Sequence, residues 1–230
     1  MDNIYKSSPV EVIDITKHTH SEWSFLLKIA LREEPGKFIM VSIPNSGEVP
    51  ISISGFTDAS IEITIRDAGK VTSEIFKIKP RDYLYVRGPY GNGFSLEQLV
   101  DKHLLIIVGG SGIAAVKPLI EYYQKPNQCR LKKLDILAGF KSPKHILFQR
   151  EFQEWSSLAG QCNVLITVDT NEDEEERWLG GIGFVVKFIK DVKDLGRETQ
   201  VIIVGPPMMM LNSVRELLGC QVKEERLLKY

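Results

Sequence analysis

The sequence is poor in residues that hold metals. Its three cysteines, Cys129, Cys162 and Cys220, form no close pair, and its four histidines, His18, His20, His103 and His145, share no ligand spacing. A zinc site or an iron–sulfur cluster takes about four ligands at short spacings, so the cysteine count excludes an iron–sulfur cluster held by this sequence alone and no paired spacing marks a zinc site. The cysteines read instead as buried reduced thiols. An excess of one charge is also lacking: 29 basic residues face 30 acidic ones, for a net charge of -1. That balance provides no general field for nucleic acid or an anionic membrane, so any partner docking must be local. Long apolar runs are absent too. No stretch approaches the roughly 18 residues needed to span a bilayer. The opening Met1-Asp2-Asn3-Ile4-Tyr5-Lys6 has no basic segment leading into an apolar one. The expectation is a cytoplasmic protein with neither a membrane nor a nucleic-acid partner.

What is present is enough apolar material, 43% of 230 residues, for two domains of ordinary size. The first hundred residues carry short β-rich segments at 10–16, 24–29, 38–43, 51–54, 61–66 and 83–87, with a helical turn at 71–78. Turn residues punctuate them, as in Pro35-Gly36, Pro44-Asn45-Ser46-Gly47 and Ala68-Gly69-Lys70. That pattern predicts an antiparallel barrel or sandwich. The pattern changes after Gly88-Pro89-Tyr90-Gly91-Asn92-Gly93, which places the boundary between domains 1–98 and 99–230. Beyond it, apolar strands at 103–108, 134–138, 164–168 and 201–204 alternate with amphipathic segments at 114–123, 148–155, 184–189 and 208–218. Such alternation predicts a doubly wound parallel α/β sheet covered on both faces. The acidic tract Glu172-Asp173-Glu174-Glu175-Glu176 reads as solvated surface or as a docking loop.

The strongest local motif is Val108-Gly109-Gly110-Ser111-Gly112-Ile113-Ala114-Ala115, which follows a buried strand and opens a helix. Gly110, Gly112 and Ala115 fit the spacing G-x-G-x-x-A, in which small residues let backbone N–H groups approach a pyrophosphate at a helix N-terminus. Glycine in such a turn also serves purely steric ends, and the motif alone leaves both readings open. An ordinary Rossmann dehydrogenase is disfavoured, because the second strand ends in Gly139-Phe140-Lys141 where that fingerprint expects an acid for the ribose hydroxyls. A second turn, Val204-Gly205-Pro206-Pro207-Met208, follows the last strand. Ligands of open α/β sheets bind outside the carboxyl ends of the strands, so both turns are expected to face one crevice. In the first domain, Pro50-Ile51-Ser52-Ile53-Ser54 sets hydroxyls along one side of a strand, and Arg66 precedes Gly69-Lys70-Val71-Thr72. These segments offer a flavin an apolar wall, polar contacts and backbone N–H groups. They read equally well as a half-exposed strand and its turn.

Taken in order, these segments resemble the ferredoxin-NADP reductase superfamily, in the branch that holds the flavin-bearing subunits of anaerobic sulfite reductases and the gamma subunits of cytoplasmic hydrogenases. The matching stretches include residues 35–41, 47–54, 69–72, 87–94, 108–114, 138–143, 146–148 and 204–209, nearly the whole chain. The resemblance implies an FAD-dependent NAD(P)H oxidoreductase acting as an electron-transfer subunit. Pro50, Ile51, Ser52 and Ile53 would line the flavin, with Ser52 as a polar contact. Gly69, Lys70, Val71 and Thr72 would hold the FAD pyrophosphate, helped by Arg66. Gly110, Ser111, Gly112 and Ile113 would hold the dinucleotide phosphates. Gly139 and Lys141 would lie near the adenosine, Gly205, Pro206 and Met208 near the nicotinamide, and Asp169 in the same crevice. NADH is expected over NADPH, although Lys141 and Lys144 would suit a 2′-phosphate. The implied acceptor is a partner subunit with iron–sulfur or sirohaem centres, in a hetero-oligomer. The sequence departs from the family in having Val49 where many members have arginine, and Ala115 where the turn usually ends in proline. It also ends at Leu227-Leu228-Lys229-Tyr230, without the cysteine-rich [2Fe–2S] segment of close relatives. Two expectations follow: a longer natural chain, or direct transfer from flavin to partner. A flavin- or nucleotide-binding regulatory module without electron output is the alternative.

Overall fold

Hydrophobic alternation in the first part of the chain builds a closed barrel. The computed structural model describes residues 6–125, 131–157, 162–171 and 178–229; Cys129 and the acidic tract 172–176 lie outside them. The chain divides into two compact units, residues 1–94 with 114–124, and residues 95–113 with 125–230. In the first, β1 (Ser8–Lys17), β2 (Glu22–Leu27), β3 (Phe38–Ile43), β4 (Gly47–Phe56), β5 (Ile61–Arg66) and β6 (Tyr83–Tyr90) close in the order β1-β2-β5-β4-β3-β6. Every neighbouring pair is antiparallel. Because side chains alternate across a strand, Phe25, Leu27, Ile39, Val41, Ile53, Ile61, Ile63 and Ile65 fill the interior. The predicted helical turn is α1 (Lys70–Ile75), which lies against β3 and β4 and buries Ile75 in the same core.

The second unit is built on a six-stranded sheet. After α2 (Leu96–Leu99) come β7 (His103–Gly109), β8 (Lys133–Phe140), α4 (Gln149–Ser156), β9 (Cys162–Val168), β10 (Gly181–Ile182), β11 (Gln200–Val204), α5 (Pro207–Gly219) and β12 (Leu227–Lys229), while α3 (Ile113–Gln124), between β7 and β8 in the chain, belongs from residue 114 onward to the first unit. The order β10-β9-β8-β7-β11-β12 is parallel throughout. One face packs Leu105, Ile107, Leu137, Val201 and Ile203 against Val185, Ile189 and Leu217. On the other face Phe140 meets Phe152 of α4 edge-on, with ring centroids 6.1 Å apart.

The antiparallel barrel and the parallel sheet are the architecture read from the sequence. Three local elements differ. The amphipathic segment expected as a helix at 184–189 is a 3-10 helix, Val185–Asp191. Gly139 leaves room for it, since a Cβ there would sit 2.9 Å from Cβ of Val185. The edge strands β10 and β12 have only two and three residues, too few to show a period of two. No helix among the described residues is long and apolar enough to cross a membrane.

Candidate functional site

On the barrel, β4 turns Glu48, Pro50 and Ser52 away from the core before its register shifts at Ser54. Ile51 packs against the interior and Ile53 lies within it at 1% exposure, so only the backbone of these two faces out. Pro50 is exposed and Ser52 half-buried, with Ser52 paired across the ladder to Phe38 and Phe38 to Tyr90. The Phe38 and Tyr90 ring centroids are 5.8 Å apart. Two charged clusters flank this open stretch. On one side Arg87 donates to both carboxylate oxygens of Glu48, at 2.7 and 2.5 Å, and to the Tyr90 hydroxyl at 3.0 Å. The hydrogen bonds from Arg87, with its charge, hold Glu48 below the usual carboxylate range against the opposing pull of desolvation. On the other side Ser54, fully buried, donates to Glu62 at 2.9 Å.

Gly69 to Thr72 forms the first turn of α1. The Thr72 hydroxyl accepts from the amides of Ala68 and Gly69, both at 3.0 Å, and donates to the Gly69 carbonyl at 2.8 Å. The turn is therefore tied to itself. Val71 packs on the β3–β4 turn, where a Cβ on Gly47 would lie 3.2 Å from its Cγ2. This contact brings the glycine turn to the end of β4 from which Pro50 and Ser52 follow. Arg66 is largely exposed, with its Nε 3.5 Å from Glu22 of β2, and Lys70 is exposed.

In the sheet, the remaining sequence candidates gather at the carboxyl ends of four adjacent strands. Val204 pairs with Val108, Gly109 with Gly139, and Gly139 with Thr167, so the turns after β11, β7, β8 and β9 stand in one row. The chain winds outward from β7 through β8 and β9, then returns to its other side at β11. The gap between β7 and β11 is therefore the topological switch point, where open α/β sheets bind ligands. The two glycine turns meet there. A Cβ on Gly109 would fall 2.6 Å from Sδ of Met209, one on Gly205 3.0 Å from the amide nitrogen of Gly109, and one on Gly112 2.6 Å from the Val204 carbonyl. These three glycines are required by packing. Gly110 is different: its φ is +55° and nothing lies within 4 Å of a Cβ there, so the space on its Cβ side is open. Ser111 is half-buried; Ile113 is fully buried and offers only its backbone. Pro206 is exposed and Met208 is 65% exposed beside the turn. Lys141 is exposed at the end of β8. Asp169 donates its amide to the Phe140 carbonyl at 2.9 Å, and burial pushes its carboxyl up.

Sequence reasoning missed Glu48, Arg87 and Tyr90, and the buried Lys117 that pairs with Glu62. Each cluster joins residues more than thirty positions apart, and no local pattern marks such a pair. A lysine among the apolar residues of 113–120 was the one available signal.

Comparison with known proteins agrees with this geometry. The oxidoreductase NAD-binding domain family matches residues 106–215. The gamma subunit of sulfhydrogenase 1 from Pyrococcus furiosus is 32% identical over 235 residues, covering 98% of this chain and 80% of that subunit. A probable dihydroorotate dehydrogenase B (NAD(+)) electron transfer subunit from Thermoplasma acidophilum is 29% identical over 192 residues, 84% of this chain and 66% of that one. Among solved structures, the cytochrome b5 reductase domain of Ulva prolifera nitrate reductase superposes with a TM-score of 0.82 at 16% identity, over 99% of this chain and 98% of that domain. A closed barrel and a parallel sheet are the two-domain fold that this structure shares with it. The chain has the ferredoxin-NADP reductase-like fold, belongs to the family of the sulfhydrogenase gamma subunits, and is an oxidoreductase.

Proposed function

We propose that this chain is the electron-input subunit of a cytoplasmic redox complex, taking hydride from NADH or NADPH onto FAD and passing electrons to a partner subunit with iron–sulfur or sirohaem centres. The observation that carries this reading is the meeting of the two glycine turns at the switch point, with open space on the Cβ side of Gly110 beside the packed Gly109, Gly112 and Gly205. Close packing of the other three glycines holds the turn in place while Gly110 leaves room for a phosphate. The barrel fits a flavin as well. The Pro50 to Ser52 stretch is open, backed by the Ile51 and Ile53 side chains and bounded on both sides by ion-pair clusters, and the capped Gly69 to Thr72 turn stands near its start.

On this reading Ser52 and the backbone of Ile51 and Ile53 contact the flavin ring, while Lys70 and the Gly69 to Thr72 backbone hold its pyrophosphate. Gly110 to Ile113 hold the dinucleotide phosphates, Gly139, Lys141 and Asp169 border the adenosine end, and Gly205, Pro206 and Met208 border the nicotinamide. The cofactors supply the chemistry, a two-electron hydride transfer followed by release of electrons to the acceptor, and the protein positions them without a side-chain acid or base. The gamma-subunit relatives favour a hydrogenase-type partner; a sulfite reductase partner would use the same input step.

The test is to purify the protein, reconstitute it with FAD, and titrate it anaerobically with NADH and NADPH. Stoichiometric flavin uptake and bleaching on addition of NADH are expected. A protein that takes up no FAD overturns the reading, and bleaching without onward transfer to any iron–sulfur acceptor would favour the regulatory-module alternative.

A further inference from the structure

At the carboxyl end of β9 one polar atom has no partner among the described residues. Asn171 is half-buried, yet its Oδ1 is buried and accepts no hydrogen bond. Buried polar atoms are nearly always paired, and one left bare costs its desolvation uncompensated, so it calls for a donor from outside the chain. The backbone fixes where that donor must come. Leaving β9, Asp169 donates its amide to the Phe140 carbonyl at 2.9 Å and Thr170 to the Lys141 carbonyl at 3.2 Å, so the segment is tied to the turn after β8. Asn171 is the next residue. Thr167 also carries an unpaired hydroxyl, but it is fully buried inside β9 and gives a ligand no access.

The chemistry of the atom selects its partner. A carbonyl oxygen only accepts, so the ligand must present an N–H or O–H. Strands β7, β8 and β9 are neighbours in the sheet, and neighbouring strands lie about 4.8 Å apart, which sets the turn after β9 about 10 Å from the Gly110 turn after β7. An adenosine spans that distance from its pyrophosphate. At that end of a nicotinamide dinucleotide the donors are the ribose hydroxyls and the exocyclic 6-amino group of adenine. The hydroxyls have a stronger acceptor in the Asp169 carboxylate, two residues nearer the sheet. The amine is left for Asn171, whose carboxamide carries the acceptor and donor pair that matches the N6–N7 edge of adenine. We propose that Asn171 is the residue by which the crevice recognises the adenine base, its Oδ1 accepting from the 6-amino group, so that a purine with a 6-oxo group is rejected. This inference deepens the dinucleotide reading above and rests on it.

The test is calorimetric titration of the full chain, saturated with FAD, with NAD(+) and with nicotinamide hypoxanthine dinucleotide, in which a 6-oxo group replaces the amine. Both dinucleotides are oxidised, so affinity is read without flavin reduction. The wild type should bind NAD(+) about tenfold more tightly, the factor that one hydrogen bond to a buried neutral group is worth, because the oxo group sets one acceptor against another. Asn171→Ala should lower the NAD(+) affinity to that of the analogue and abolish the preference. Asn171→Asp should keep the preference, since a carboxylate still accepts from the amine, while its added negative charge weakens both dinucleotides alike. Equal wild-type affinities for the two dinucleotides, a preference that survives Asn171→Ala, or one lost in Asn171→Asp would each overturn the proposal. The wild-type comparison can do so even if neither variant folds. Wild-type protein that binds neither dinucleotide would overturn the dinucleotide reading itself, and this inference with it.

Discussion

The α-carbon of Gly112 packs directly on the carbonyl of Val204, so closely that a Cβ at position 112 would lie 2.6 Å from its oxygen. Backbone cannot retreat as a flexible side chain can. Gly112→Ala should therefore push apart the turns after β7 and β11, with an overpacking cost of about 1–3 kcal/mol and weaker NADH binding. Gly110→Ala meets no atom but must hold a φ of +55°, which costs roughly 1–2 kcal/mol for a residue with a Cβ. Thermal unfolding with and without NADH separates the two. Gly112→Ala as stable as wild type would show that the turns are not locked together.

The Glu48–Arg87 pair predicts an acid-sensitive barrel. Glu48 has a depressed folded pKa, caused first by the hydrogen bonds from Arg87. Its stabilisation is complete above the unfolded carboxylate value and is lost as pH falls through the lower folded value. Glu48→Gln should melt below wild type near neutrality, and the gap should close as pH falls below the ordinary carboxylate range. A gap independent of pH would mean that the carboxylate charge is not what Arg87 holds.

The two folds were legible because each segment obeys one period. Leu104 to Val108 is continuously apolar, as a strand buried on both faces must be, and Ile61, Ile63 and Ile65 alternate with polar neighbours, as a barrel strand must. The glycine turns were legible because small residues recur there at a fixed spacing, and close packing accounts for Gly109, Gly112 and Gly205. What escaped were relationships across the chain. The hydroxyls of Ser52 and Ser54 look equivalent in the sequence, yet Ser52 stays half-open while Ser54 is buried by a bulge and a lysine 63 residues away. The sequence singled out Met208 by its place at the turn, and only the structure sets Met209 against both glycine turns.

Cys162 should be a poor nucleophile. Burial, and after it the charge of Asp135, pushes its thiol up to about 12, so almost no thiolate exists near neutral pH. Alkylation by iodoacetamide at about pH 8 should leave Cys162 unmodified in the native protein and modify it quickly after denaturation. Peptide mass mapping of a time course reads this directly, and labelling of Cys162 at the denatured rate would contradict it.

Lys141 and Asp169 set opposite charges at the ends of neighbouring strands, and their balance should decide between NADH and NADPH. A carboxylate suits ribose hydroxyls and repels a 2′-phosphate, whereas an exposed lysine attracts one. With Asp169 ionised, NADH should reduce the flavin faster. Burial raises the Asp169 pKa, so its charge is lost earlier on acidification than an ordinary aspartate's, and the preference for NADH should narrow as pH falls. Asp169→Asn should narrow it at every pH. Lys141→Ala should widen it by weakening NADPH, more so at low salt, where screening is least. Paired rates with the two nucleotides across pH provide the measurement. A preference unmoved by either substitution would place the 2′-phosphate discrimination elsewhere in the crevice.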